Sequence, residues 1–251
     1  MVRLIVSFAI TLALTNAAFS ITGSRSAPSE AVARSIVTVI GSRGTVCTGS
    51  LIAPSIVLTA GHCIAPDTSY RVIDPSTQPP RLITTQNAVT HPKFNMQTML
   101  AHRATADVAL LLLPSNVPNK SAATLGLPRS PIQAGSRFTV AGVGVASSGG
   151  DEGVGKVRAA NLTVTGNPGT LQIRLVDPVT QNKSAGMGAC TGDSGAPVFE
   201  DQDGRSIVVG IVSWSTGPNN GDGCGGLTGV TPLTLYIDWI VKTARAWGAG
   251  L

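Results

Sequence analysis

Charge is scarce in this chain. Only 12% of its 251 residues are Asp, Glu, Lys or Arg, and the 18 basic residues do not gather into a run. A net charge of +5 spread so thinly, without interleaved aromatics, excludes the basic stripe of a nucleic-acid-binding protein. Aromatics are equally sparse, at 4%. There are three histidines and four cysteines, and no C-x-x-C pair occurs among the cysteines. That leaves no zinc pattern, so neither a metal nor an organic cofactor is expected. After residue 20 no apolar run reaches the length of a bilayer span, so no stable membrane insertion is expected.

What the chain does have is 43% hydrophobic residues, 29 glycines and 16 prolines. Abundant Val, Ile and Thr between Gly- and Pro-rich breaks favour short strands and tight turns over helices. Residues 1–20 read as an export signal: Arg3 leads an apolar run over 4–14, and Ala18 and Ser20 are small enough for signal peptidase. The expected location is therefore secreted, extracellular or periplasmic. Strand-like runs follow at 35–40, 46–52, 56–59, 70–73, 82–90 and 108–113. Residues 114–135 are rich in Pro, Ser and Asn and read as a linker between halves. A second set runs over 137–141, 157–165, 171–175, 197–199, 207–214 and 229–231. Residues 235–247 carry apolar positions on one helical side and predict a terminal helix. The expected organisation is a leader (1–20), an N-terminal barrel (21–113), the linker, and a C-terminal barrel with helix (136–251). In fold class this is all-β: two packed six-stranded antiparallel β-barrels with a C-terminal α-helix.

Four cysteines in an exported chain imply two disulfides. Three pairings are open, and the most local joins Cys47 to Cys63 and Cys190 to Cys224. Two near-matches lead nowhere. The run from Gly150 to Val157 resembles a phosphate loop but lacks the closing Ser/Thr and opens a strand. Ser194 is not in a G-x-S-x-G elbow, because Ala196 takes the place of the second glycine.

Chemistry concentrates at Cys190-Thr191-Gly192-Asp193-Ser194-Gly195-Ala196-Pro197. Glycines on both sides let the serine sit on a sharp bend, with the N–H groups of Gly192 and Ser194 able to serve a developing oxyanion. A serine hydroxyl is nearly inert at neutral pH and needs a base within hydrogen-bond reach. His62 closes a strand in Leu58-Thr59-Ala60-Gly61-His62-Cys63, whereas His91 and His102 stand in polar stretches and read as solvated. Asp107 opens the apolar run over 108–113, where burial demands a hydrogen-bonding partner. That acid is suited to fix the tautomer of a base.

Thr59-Ala60-Gly61-His62-Cys63, Asp107-Val108-Ala109-Leu110 and Gly192-Asp193-Ser194-Gly195-Ala196-Pro197 resemble the three signatures of trypsin-like serine proteases of the chymotrypsin family. They occur in the family's order, and the resemblance extends over nearly all of the chain after residue 20. It implies Ser194 as nucleophile, His62 as general base and acid, and Asp107 as orienting acid bonded by Ser213. Gly192 and Ser194 would form the oxyanion hole, and the backbone of Ser213, Trp214 and Ser215 would pair with extended substrate. The specificity pocket would have Gly188 at its base and Ser215 and Gly229 as sides. A tryptic enzyme carries Asp where Gly188 stands, so apolar rather than basic residues are expected before the scissile bond.

The family also activates when a new N-terminal amine pairs with the Asp beside the nucleophile. Here that pair would be Ile21 and Asp193, and Ile21 directly follows the expected signal cleavage. Signal peptidase alone would then switch the enzyme on, and one extra residue before Ile21 would collapse the oxyanion hole. The expected function is a secreted serine endopeptidase working through an acyl-enzyme. Protein or peptide substrates and protein inhibitors are its expected partners, and a monomer its expected state. A protease-like binding protein without activity is the alternative, and an esterase with the same triad is a third.

Overall fold

The computed structural model describes residues 21–23, 27–64, 69–101, 103–147, 149–150 and 154–251. The expected leader 1–20, His102 and the centre of the 150–157 loop lie outside the described residues.

The first half builds one sheet from β1 (Ile36–Gly41), β2 (Val46–Ala53), β3 (Ile56–Thr59), β4 (Tyr70–Asp74), β5 (Arg81–Thr84), β6 (Asn87–Thr90) and β7 (Ala109–Leu112). Their order is β5-β4-β1-β2-β3-β7-β6, all antiparallel. The ladder of this seven-stranded sheet does not close, so it is a half-barrel. The single strand expected over 82–90 is two, because the chain turns at Thr85 and Gln86.

The second half contributes β8 (Thr124–Leu125), β9 (Arg137–Gly142), β10 (Arg158–Thr165), β11 (Ile173–Val176), β12 (Pro197–Gln202), β13 (Arg205–Ser215) and β14 (Thr228–Pro232). Strands β9 to β14 close on themselves through the β12–β13 pairing, which makes a six-stranded barrel. The stretch expected as a bare linker supplies β8, which pairs with β13 in parallel.

Among the described residues, three α-helices join the sheets. Strand patterning conceals α1 (Glu30–Ser35) and α2 (Met96–Leu100), yet both start on a side-chain cap. Ser29 Oγ accepts from Val32 N–H and Asn95 Oδ1 from Thr98 N–H. The terminal α3 (Ile237–Ala246) buries Ile240 and Ala244.

Its buried face joins a core shared by both halves, with Ile36, Leu58, Val108 and Leu110 from the first sheet and Val143, Phe199 and Ile211 from the second. Each sheet also encloses a core of its own, the first around Val57, Leu111 and Val72, the second around Leu162, Leu175 and Val230. The junction of the sheets is thus a packed interior, and residues held there are held rigidly.

Candidate active site

His62 and Asp107 meet at this junction. Strand β3 ends in a single 3₁₀ turn, Gly61–Cys63, which lifts the His62 ring off the sheet. Cys63 ties the turn back to Cys47 in β2. Asp107 stands two residues before β7, the neighbour of β3, and is 1% exposed. Its Oδ1 accepts from the His62 backbone N–H at 2.8 Å, and its Oδ2 faces His62 Nδ1, also at 2.8 Å. Ser213 Oγ donates to the same Oδ2 at 2.5 Å. Three donors therefore hold a carboxylate that burial would otherwise penalise. The arrangement fixes the Nδ1 proton of His62 and leaves Nε2 to exchange one.

Ser194 sits on a turn packed against the end of β3. Gly192 and Gly195 take φ of +90° and +80°, a region only glycine enters at little cost. A side chain at Gly195 would lie 2.2 Å from Thr59 Oγ1 and 2.8 Å from Ala60 N, so the bend presses on the end of β3, where His62 is carried. Among the described residues no hydrogen bond joins the Ser194 hydroxyl to His62. Catalytic bonds of this kind tighten when substrate is bound.

The peptide groups of this turn are sorted with care. Thr191 C=O accepts from Val145 N–H at 2.8 Å, and Asp193 C=O from Ala196 N–H at 2.9 Å. In a trans peptide the N–H points away from its carbonyl, so the Gly192 N–H points away from Val145 and the Ser194 N–H away from the Ala196 amide. The neighbouring amides of Asp193, Gly195 and Ala196 are all bonded within the protein, whereas those of Gly192 and Ser194 donate to none of the described residues. Two adjacent unspent donors can stabilise an oxyanion.

Thr48 of β2 ties the turn to the first sheet. Its N–H donates to Ser194 C=O at 2.9 Å and its hydroxyl to Gly192 C=O at 2.8 Å. The same hydroxyl accepts from Val143 N–H. Nothing in the motif pattern singles out Thr48; a threonine in a β-strand is ordinary.

Asp193 points inward and is fully buried. Its two oxygens accept from the N–H groups of Gly144 and Cys190, each at 2.9 Å. Burial pushes its pKa up to about 7, against the pull of those two bonds and of the Arg158 charge. The glycines at 142 and 144 clear the space, since a Cβ at Gly142 would stand 2.2 Å from Asp193 Oδ1. Ile21 is also wholly buried, in the second core, and Thr22 bridges to Gly188. Its nitrogen belongs to a peptide bond here, and among the described residues it makes no ion pair with Asp193.

Gly188 is buried, and a Cβ there would meet Gly225 Cα at 3.2 Å and Thr228 Oγ1 at 3.4 Å. A Cβ at Gly229 would fall 2.0 Å from Trp214, so this glycine seats the indole. Successive strand residues face opposite ways, and it is Thr228 that turns toward Gly188, accepting from Ala189 N–H at 2.9 Å. Ser215 pairs with Thr228 at the end of the β13–β14 ladder. Among the described residues, 213–215 have a strand on one side only, because the β12 ladder stops at Ile211. Asp177, behind the pocket, spends its carboxylate on Val179 and Met187 N–H, and Asp222 is exposed.

The cysteines pair as Cys47–Cys63 and Cys190–Cys224, the most local choice. One cluster of metal-ligating atoms occurs among the described residues, Cys47, His62 and Cys63, and the disulfide consumes both of its sulfurs. His91 is not solvated as its sequence context suggests. It is 9% exposed, its ring meets Tyr236 and Trp239 edge-on, and burial followed by the Lys93 charge lowers its pKa.

A half-barrel packed on a closed barrel, with an Asp–His pair at the seam and a glycine-flanked serine opposite, is the architecture of trypsin-like proteins. Comparison with known proteins agrees. The trypsin family model matches residues 21–240, and the chain belongs to that family. It is 30% identical to "Serine protease 56" of Mus musculus over 223 residues, which is 80% of this chain and 35% of that protein. To "Serine protease 1" of Homo sapiens it is 27% identical over 214 residues, 80% of each chain. The chain thus spans well under half the length of the mouse relative.

Proposed function

We propose that this protein is a secreted serine endopeptidase. The observation that carries the reading is the pairing of a buried, triply bonded Asp107 at His62 with two unspent N–H groups at Gly192 and Ser194. In this mechanism Ser194 Oγ attacks the scissile carbonyl while His62 Nε2 takes its proton. The carbonyl oxygen becomes an oxyanion between the two N–H groups. The intermediate collapses, His62 returns the proton to the leaving amine, and Ser194 is left acylated. Water, deprotonated by His62, then attacks the acyl carbon; the bond to Ser194 Oγ breaks, His62 returns the proton to Oγ, and the acyl product leaves as a carboxylic acid. No step calls on a cofactor. The open edge at 213–215 suits an extended peptide, which supports peptides over compact esters as substrates.

The pocket supports a preference for small to medium apolar side chains before the scissile bond. Among the described residues no carboxylate stands at its base: Gly188 has none, Asp177 is turned into the backbone and Asp222 is exposed. Thr228 narrows the space beside Gly188, so this reading favours smaller side chains. Both named relatives are called serine proteases, which supports the reaction class. Export is supported by the leader-like start and by two disulfides.

The test is an organophosphonate probe with a peptide panel. The secreted protein should take up the probe on Ser194, and Ser194→Ala should abolish both labelling and cleavage. Peptides with Ala or Val before the cut should outrun those with Arg or Lys. A correctly folded protein that refuses the probe would instead be a binding protein.

A further inference from the structure

Arg174 stands exposed on β11 between Ile173 and Leu175, which face the second core. Among the described residues its guanidinium makes no ion pair, unlike those of Arg34, Arg81 and Arg129. Strand register puts it in line with the candidate site. Thr165, Arg174, Gly229 and Trp214 stand opposite one another across β10, β11, β14 and β13. Opposed residues of antiparallel strands leave the sheet on one face. In this row only Gly229 separates Trp214 from Arg174, and the indole lies over that glycine.

The space there is open and its charge is of one sign. Arg174 lines a concavity of about 500 Å³ with Thr165, Leu171 and Ala104, the last on the segment that leads into Asp107. A second concavity shares Ala104 and Leu171 with the first and carries Lys93. Among the described residues no acid lines either one. A peptide added along 213–215 continues the pleat of the sheet. The residue before its scissile bond enters the pocket beside Gly188, on the face that Thr228 takes. The second and fourth residues before the bond then leave on the face of Gly229 and Trp214. The second lies next to His62, and the fourth is carried past the indole toward Arg174.

We propose that the cleft selects an acidic side chain at the fourth residue before the scissile bond, and that Arg174 reads it. A Glu or Asp there pairs with the guanidinium, whose planar fork suits a carboxylate. Lys93 adds a weaker attraction from the neighbouring concavity. This inference rests on the endopeptidase reading and names its substrate class: peptides with an acid on the N-terminal side of a small apolar residue.

The test is a set of peptides with Ala before the cut, alike except for Glu, Gln or Lys at the fourth residue before it. kcat/KM should be about tenfold higher for Glu than for Lys, with Gln between them. Added salt should narrow that range, because the pair is exposed. R174Q should remove most of the preference and R174E should reverse it, while the Gln peptide is cleaved at nearly the unaltered rate. R205E makes the same change in net charge at the far end of β13 and should leave the preference as it was. Equal rates on the Glu and Lys peptides in the unaltered protein would overturn the proposal. So would a preference that survives R174E, or one that R174E and R205E lower alike. If no peptide is cleaved, the endopeptidase reading fails, and affinity decides the inference alone. By fluorescence anisotropy the labelled Glu peptide should then bind about tenfold more tightly than the Lys peptide, and equal affinities overturn the proposal.

Discussion

Asp193 is buried more completely than its chemistry favours, and the cost is dependent on pH. With Ile21 still in peptide linkage, the folded carboxyl holds its proton up to about pH 7, whereas an exposed one releases it near 3.8. Between those values unfolding releases a proton, so stability should fall as pH rises through that window and level off above it. Urea midpoints of the extended chain, carrying Ser194→Ala to prevent self-digestion, measure this directly. Asp193→Asn should flatten the profile; equal slopes with and without Asp193 would place the pH dependence elsewhere. In a chain that begins at Ile21, the ammonium favours the carboxylate and the slope should shrink or reverse. A related substitution tests the space rather than the charge. Gly142→Ala drives a Cβ to 2.2 Å from Asp193 Oδ1, and overpacking of this kind costs about 1–3 kcal/mol. A loss of that size in the urea midpoint, with a fall in labelling rate, is the expected result.

Along a single strand, β14, two adjacent residues do opposite work: Thr228 faces Gly188 and Gly229 seats Trp214. Thr228→Gly should widen the pocket and raise the preference for Phe or Leu over Ala before the cut by at least about tenfold. Gly229→Ala should leave that preference in place and lower the rate on every peptide, because a displaced indole disturbs the neighbouring edge strand. Competition among peptides, read by kcat/KM, separates the two results; identical profiles would mean the facing has been misjudged. The same strand marks how far sequence reasoning reaches. His62, Asp107 and Ser194 were legible because each sits in a short motif with a chemical reason for its composition. The strands were legible from periodicity, as was α3 from its apolar side. Which of two small neighbours lines a pocket depends on pleat phase against a partner strand, and no local pattern carries that. Neither α1 nor α2, capped by Ser29 and Asn95, is long enough to show a period.

At the scale of the whole molecule, the candidate site is divided: the first sheet holds His62 and Asp107, the second Ser194 and its turn. Alignment of the halves must therefore be held more tightly than hydrophobic contact alone ensures. The shared core of Leu58, Val108, Val143 and Ile211 supplies the adhesion, and directional bonds supply the register. Thr48 makes several of those bonds at once, to Ser194 and Gly192 carbonyls across the seam and from the Val143 N–H. Thr48→Val keeps the size of the side chain but strips the hydroxyl. It leaves the Gly192 carbonyl and the Val143 N–H buried without that partner, at about 1–3 kcal/mol for each group left unsatisfied. The backbone bond to Ser194 survives, so the halves should stay joined while the oxyanion turn loosens. The expected signature is a fall in kcat of about tenfold or more with KM nearly unchanged, since only the transition state uses the two N–H groups. Thr48→Ser, which keeps the hydroxyl, should recover most of that loss. A fall in kcat that Thr48→Ser cannot recover would mean that packing at the seam, and not the hydroxyl clamp, aligns the two halves.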